Sequence, residues 1–173
     1  MPNPMEEMAS KGMGKAKKAK ATVQGLKGVF EKLAEEHGEV SVLLERGKSA
    51  SDPEKRMKLW KKIRAELLSH ERAETSEVYN VLHDRPETES LASRHDDEAQ
   101  EIEELIERVD AAEPSTGEWS EAFAELADTV EHHAVEEEEE IFPKAMTVLH
   151  EREVEDLERA FTAEKKRLLE SVS

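Results

Sequence analysis

The sequence predicts an all-α fold: an up-down-up-down antiparallel four-helix bundle with an additional C-terminal helix. Apolar residues recur at three- and four-residue intervals along most of the chain, the period of a helix with one buried face. Aromatic residues make up only 4% of the chain, and glycine and proline are few, which favours helix over sheet. The connections between the periodic stretches are short, as between antiparallel neighbours in a bundle.

Residues 1–22 are predicted to be a basic, flexible segment ahead of the bundle. No aromatic residue or arginine accompanies their lysines, so a loosely ordered tail is favoured over an arm that contacts an acidic partner. The closely spaced lysines are Lys11, Lys15, Lys17, Lys18 and Lys20. Residues 23–146 are predicted to form the bundle, and residues 147–173 the C-terminal amphipathic helix.

The first two bundle helices each carry a histidine on their apolar line. The first begins near Val23, and its line reads Leu26, Phe30, Leu33, His37, Val40 and Leu44. Ser51 or Asp52 is predicted to cap the second helix, with Pro53 in its first turn. The line of the second helix reads Leu59, Ile63, Leu67, His70, Glu74 and Val78.

The last two bundle helices repeat the pattern. The third line reads Leu91, His95, Ile102, Leu105 and Val109, and the fourth Phe123, Leu126, Val130, His133, Glu137 and Ile141. Ser115 and Glu118 form a candidate capping box for the fourth helix, which Pro143 should end or kink. The C-terminal helix, with Val154, Leu157, Phe161 and Leu168, is expected to pack outside the bundle or to form an oligomer contact.

The four stripe histidines, and the glutamates four residues after two of them, predict a metal site. A spacing of four residues puts both side chains on one face of a helix. An unpaired buried charge is costly, so a bound cation is the simplest compensation. Four imidazoles and two carboxylates exceed the needs of one tetrahedral ion, and two ions bridged by the carboxylates fit better. The chain has no cysteine, so nitrogen and oxygen must hold the metal.

The other polar residues of interest fall off the buried lines. His83, His132 and His150 are predicted to lie at the surface, as is Glu71 beside His70. The acidic run of Glu136 and residues 138–140 is interpreted as a solvated face. A ferritin-like di-iron site is excluded, because it needs a glutamate three residues before a histidine and the sequence has none.

The net charge of the chain limits the kinds of partner that it is expected to bind. The formal net charge is −17, from 42 acidic and 25 basic residues, which should repel nucleic acid and anionic membranes. No apolar run approaches the ~20 residues of a membrane span, and no apolar stretch follows the N-terminal lysines as in a secretion signal. We therefore expect a cytoplasmic protein with no nucleic-acid or membrane partner, whose oligomeric state is open.

The candidate ligands form the pattern His37, His70-x-x-x-Glu74, His95 and His133-x-x-x-Glu137, followed by Ile-Phe-Pro. Between about residues 23 and 146, this pattern resembles the hemerythrin HHE cation-binding family. The resemblance implies two iron ions bridged by carboxylates and by an oxo or hydroxo group. By it, His37 and His70 would serve one iron and His95 and His133 the other, with Glu74 and Glu137 bridging.

One position departs from the family pattern. Hemerythrins have a further histidine one turn after the third-helix ligand, and Ala99 stands there in this chain. Glu98, His132 or water would have to complete the second iron, and Glu98 is taken as an additional candidate ligand. The departure puts reversible oxygen carriage in doubt and favours an exchangeable, more reactive iron.

Three functions follow from these residues. The first is a di-iron protein that binds or senses O2, NO or peroxide, or handles iron. The second is a di-iron enzyme that turns over peroxide or nitric oxide at the same centre. The third is a structural bundle whose polar stripe is satisfied internally or by zinc, which would be colourless.

Overall fold

The computed structural model describes residues 3–172, and within that range it contains helices and no strand. The prediction of an all-helical protein is confirmed. The α-helices are α1 (Pro4–Val23), α2 (Val29–Ser49), α3 (Pro53–Ala73), α4 (Asn80–His83), α5 (Glu89–Ala111), α6 (Gly117–Glu136), α7 (Phe142–Val148) and α8 (Glu151–Val172). Two π-helical segments interrupt this series, Glu74–Tyr79 between α3 and α4 and Glu137–Ile141 between α6 and α7.

Local signals fix where α3 and α6 begin. Asp52 caps α3 by accepting a hydrogen bond from the Lys55 backbone N–H, and Pro53 lies in the first turn, as predicted. Thr116 caps α6 through the Trp119 N–H. The predicted Ser115 cap is therefore wrong by one residue, because Ser115 lies in the preceding turn and the Thr116 backbone has the extended conformation of a cap.

The apolar core consists of two clusters separated by the histidines. In α2 the residues before His37 belong to one cluster and those after it to the other. In α3 the two clusters follow in the opposite order before and after His70. The order changes again in α5 around His95, and once more around His133 at the end of α6. The four histidines therefore form one polar layer across the middle of the core.

The N-terminal segment differs from its prediction as a flexible tail, because it forms helix α1 packed along α2. Small residues allow the close approach: a Cβ added at Gly38 would lie 2.6 Å from the Met13 carbonyl oxygen. The Ser10 hydroxyl also donates to the Glu39 carbonyl oxygen across the two helices. The search for large apolar residues missed this helix because its buried face is built from Ser10, Gly14 and Ala21.

Helix α8 packs against α2, α3 and the first π-helical segment of its own chain. Val154, Leu157 and Phe161 are buried there, and the Phe161 ring meets the His70 ring edge-on at 5.8 Å. The predicted C-terminal helix thus covers the bundle near one of the histidines. Among the described residues, no helix has the length and apolarity needed to cross a membrane.

Candidate metal centre

Four helices bring one histidine each to the polar layer, His37 from α2, His70 from α3, His95 from α5 and His133 from α6. The two glutamates of the predicted pairs follow directly, since each π-helical segment begins at one of them, Glu74 or Glu137. Both glutamate side chains are fully buried. A π-helical turn is rare and is frequently found at functional sites, so its presence at both glutamates makes this layer a candidate functional site.

Glu137 lies at the centre of the layer. Its Oε2 is 3.2 Å from His37 Nε2, and its Oε1 is 3.3 Å from His133 Nε2 and 3.6 Å from His95 Nε2. The Tyr79 hydroxyl donates to the same Oε1 at 2.7 Å, and the Tyr79 ring stacks on His95 at 3.4 Å between centroids. One carboxylate therefore faces histidines from three helices.

Glu74 makes the corresponding approach from the other side, with its Oε2 3.3 Å from His70 Nε2. The buried ligand atoms fall into two overlapping groups, each small enough to surround an ion, with all of its atoms within 4.8 Å of one another. Glu74 belongs to both groups. They are His37, His70 and Glu74, and Glu71, Glu74, His95 and His133.

Glu71 was predicted to be exposed, and this is wrong. Its side chain is buried, and its Oε2 lies 3.6 Å from His133 Nε2 and 3.9 Å from His95 Nε2. The residue after a histidine is turned by about 100° on the helix. The buried arc of a bundle helix is at least that wide, so it includes both His70 and Glu71. The burial of Glu71 could have been predicted from its position, because it is an acidic residue directly after a histidine on the apolar line.

A second set of carboxylates holds the outer nitrogens of three histidines. His37 Nδ1 donates to Glu138 at 2.9 Å, His70 Nδ1 to Glu36 at 2.8 Å, and His133 Nδ1 to Glu98 at 2.7 Å. Such hydrogen bonds fix the tautomer and ring orientation of a metal ligand and leave the other nitrogen, Nε2, free for the ion. In each case Nε2 points towards the centre of the layer.

These contacts change the roles of two glutamates. Glu98, predicted as an additional ligand, bonds the outer side of His133, and Glu71 occupies the inner side instead. Glu138, predicted on the solvated face, is buried and receives hydrogen bonds from His37 and from Lys17. His132 is exposed, as expected. The sequence gives no direct signal for Glu138, because its partners lie on α1 and α2.

Several polar atoms in this layer are buried and have no hydrogen-bond partner within the described part of the chain. A buried, unsatisfied polar atom costs about 1–3 kcal/mol, and more when it is charged. Cations placed among the inward-facing atoms would satisfy them, so the donor set fits bound metal cations. The inward-facing atoms are His70 Nε2, His95 Nε2, His133 Nε2, Glu71 Oε2, both carboxylate oxygens of Glu74, and Glu137 Oε2.

When no metal is bound, protons on the histidines supply the positive charge that balances the buried carboxylates. Burial disfavours a charged imidazole at His70, but hydrogen bonds to carboxylates, led by Glu36, outweigh burial and raise its pKa to about 10. The same balance of burial against neighbouring carboxylates raises the pKa of His37 and of His133. A metal ion entering the layer must therefore displace protons from these rings.

The comparisons with known proteins agree with this geometry. The model of the hemerythrin HHE cation-binding domain matches residues 28–145. The DNA nickase of Nostoc sp. (strain PCC 7120 / SAG 25.82 / UTEX 2576) is 27% identical over 136 residues, which are 77% of this chain but only 38% of that protein. No solved structure shows a significant match. Because the family model covers more than half of the sequence and spans all four histidines, the chain belongs to the hemerythrin HHE cation-binding domain family.

Proposed function

We propose that the protein is a metal-binding protein whose polar layer holds a non-haem di-iron centre, and that it binds or senses O2, NO or peroxide, or handles iron. The proposed ligands are His37, His70, Glu71, Glu74, His95, His133 and Glu137. The observation that carries the proposal is that two buried ligand groups share Glu74 and contain polar atoms that no other residue of the range 3–172 satisfies. The choice of iron rests on the family resemblance, since imidazole and carboxylate also suit other metals.

The two ligand groups support the predicted assignment of the histidines to two separate ions. His37 and His70 would hold one ion, and His95, His133 and Glu71 the other. Glu74 and Glu137 would lie between the two ions, with the Tyr79 hydroxyl fixing the Oε1 lone pairs of Glu137. Paired iron would supply open coordination positions at which a small diatomic molecule or peroxide can bind.

Glu71 supports the enzymatic candidate, turnover of peroxide or nitric oxide at the same centre. The sequence lacks the further histidine of hemerythrins, and Glu71, whose Oε2 lies near His95 and His133, would complete the second ion with a carboxylate oxygen instead of a nitrogen. A carboxylate can bind through one oxygen or two, which lets a coordination position open and close.

The proposal takes the bundle as up-down-up-down and antiparallel. The support is the alternation of the two apolar clusters about the histidine in α2, α3, α5 and α6, since each helix enters the polar layer from the side opposite to its predecessor. Helices with that alternation can present all four histidines to one level while their connections stay short.

DNA cleavage is not carried over from the Nostoc relative. The chain spans only 38% of that protein's length, and its net charge of −17 opposes contact with a phosphate backbone.

The test is a metal count per chain and visible spectra of the protein purified after growth with iron. Spectra are recorded reduced, in air, and after peroxide addition. We expect two iron ions per chain. A band formed reversibly with O2 supports binding, and rapid peroxide consumption without loss of iron supports the enzyme. His70→Ala and Glu137→Ala should both lose iron. A colourless protein with zinc or no metal would overturn the proposal, as would full iron in both variants.

A further inference from the structure

A cavity of about 310 Å3 lies beside the candidate metal centre, between α2 and α6. At its inner end are His37, His70, Glu71 and His133, four of the proposed ligands. The cavity therefore leads to the layer in which the metals would bind.

The walls of this cavity are apolar and consist mainly of residues within two turns of those histidines. Its volume lies at the lower end of the range for small-molecule sites, about 300–1,000 Å3. It is roughly twice the 150 Å3 of an engineered apolar cavity that takes up benzene. A diatomic molecule or peroxide would leave most of this space unfilled. The wall residues are Val40, Leu44, Leu67, Ala127, Val130 and Ala134.

The mouth of the cavity is polar, but its two lysines are already paired. Lys17 donates to Glu138 at 3.0 Å, and Lys48 lies 3.1 Å from both Glu45 and Asp128. An anionic ligand would have to break one of these pairs to be neutralised at the mouth. The apolar side chains that form most of the inner wall offer an ion of either sign no compensating hydrogen bond, and burying such an ion is costly. The cavity thus favours a neutral molecule.

We propose that this cavity binds one neutral, apolar organic molecule of about the size of two fused aromatic rings, or a medium-chain aliphatic compound of similar volume. The inference rests on the proposed function for its relation to the metals, because the bound molecule would lie against the metal-binding side chains. It names an organic substrate or effector class for that site. Binding itself depends on the cavity and needs no metal.

The test uses naphthalene as the probe and equilibrium dialysis as the measurement, on the full-length protein in metal-free and iron-loaded form. We expect one naphthalene per chain in both forms. Naphthalene-2-sulfonate should bind at least tenfold more weakly. Equal binding of the charged and neutral probes would contradict the proposal.

Two variants locate the site. Ser41 lines the mouth, and Ser41→Trp should weaken naphthalene binding at least tenfold by blocking it. Ser49→Trp is the matched control, since Ser49 lies two turns further along α2, is exposed, and makes the same kind of hydroxyl bond to the carbonyl three residues earlier. Val130→Phe fills the interior and tests the same site if the mouth variant fails to fold.

The outcomes separate the two proposals. Absence of naphthalene binding in the wild type, or equal binding by both tryptophan variants, overturns the cavity proposal even if the protein carries two iron ions. Naphthalene binding by a protein that takes up no iron overturns the proposed function and leaves the cavity proposal standing.

Discussion

Replacing Glu138 with glutamine should weaken iron binding although Glu138 is not among the proposed ligands. Its carboxylate accepts the His37 Nδ1–H at 2.9 Å and a hydrogen bond from Lys17 at 3.0 Å, in a position that is only 8% exposed. The carboxylate holds His37 in the tautomer whose Nε2 is bare and faces the centre. An amide carries no charge and holds this tautomer less firmly, so the ring is less well oriented and a weaker donor.

The expected loss is about 10–100-fold in iron affinity, the effect typical of removing a hydrogen-bond partner of a metal-bound histidine. It corresponds to roughly 1.4–2.7 kcal/mol. Glu139→Gln is the matched control, because Glu139 is the next residue, is exposed, and loses the same charge.

The assay is a titration of ferrous iron into metal-free protein in competition with a coloured chelator, without oxygen. We expect the Glu139 variant to match the wild type. An affinity within about twofold of wild type for Glu138→Gln would refute the role given to this hydrogen bond. Equal weakening of both variants would show that net charge, and not the orientation of His37, controls affinity.

Four further results are expected. Glu71→Ala should lower the iron content, measured by metal analysis, from two ions per chain to about one, because it removes a ligand of one ion only. Two retained ions would exclude Glu71 as a ligand. Tyr79→Phe should keep its iron but lose about 1.5–3 kcal/mol of unfolding free energy in urea, since it removes a buried hydrogen bond to a carboxylate. An unchanged urea midpoint would contradict this expectation. Iron retained after dialysis should fall as pH drops from about 10 towards about 5, because protons bind ligand histidines such as His70, whose pKa is raised to about 10, in competition with metal. A flat profile would count against this competition. Gly47→Ala should destabilise the protein by about 1–3 kcal/mol, because the added methyl group would overlap the buried Phe123 ring on α6. Gly12→Ala, with open space around it, should not destabilise it. Similar thermal unfolding of the two variants would argue against the close packing of α2 on α6.

The helices and the histidine layer could be predicted from the sequence because both depend on local periodicity. A histidine that replaces an apolar residue on a regular stripe must point into the core, whatever the details of packing. The same holds for Glu74 and Glu137, one turn after their histidines. The structure brings His37, His70, His95 and His133 into one layer with both glutamates, as expected from those positions.

The remaining parts depend on contacts between distant segments, which periodicity does not encode. Glu138 is buried only because α1 and α2 bring Lys17 and His37 to it. Within the acidic run, an even helix would turn it away from Glu137, whereas the π-helical segment keeps both inside. Helix α1 was missed for a related reason, since it packs through small residues that carry no apolar signal.

X-ray absorption at the iron edge of the purified, iron-loaded protein shows whether two iron ions lie side by side in the polar layer. We predict iron bound by nitrogen and oxygen only, with a second iron at about 3.5 Å, the spacing of paired metal sites. Iron without a neighbouring iron at that distance would contradict a di-iron centre built by the histidines and glutamates of this layer.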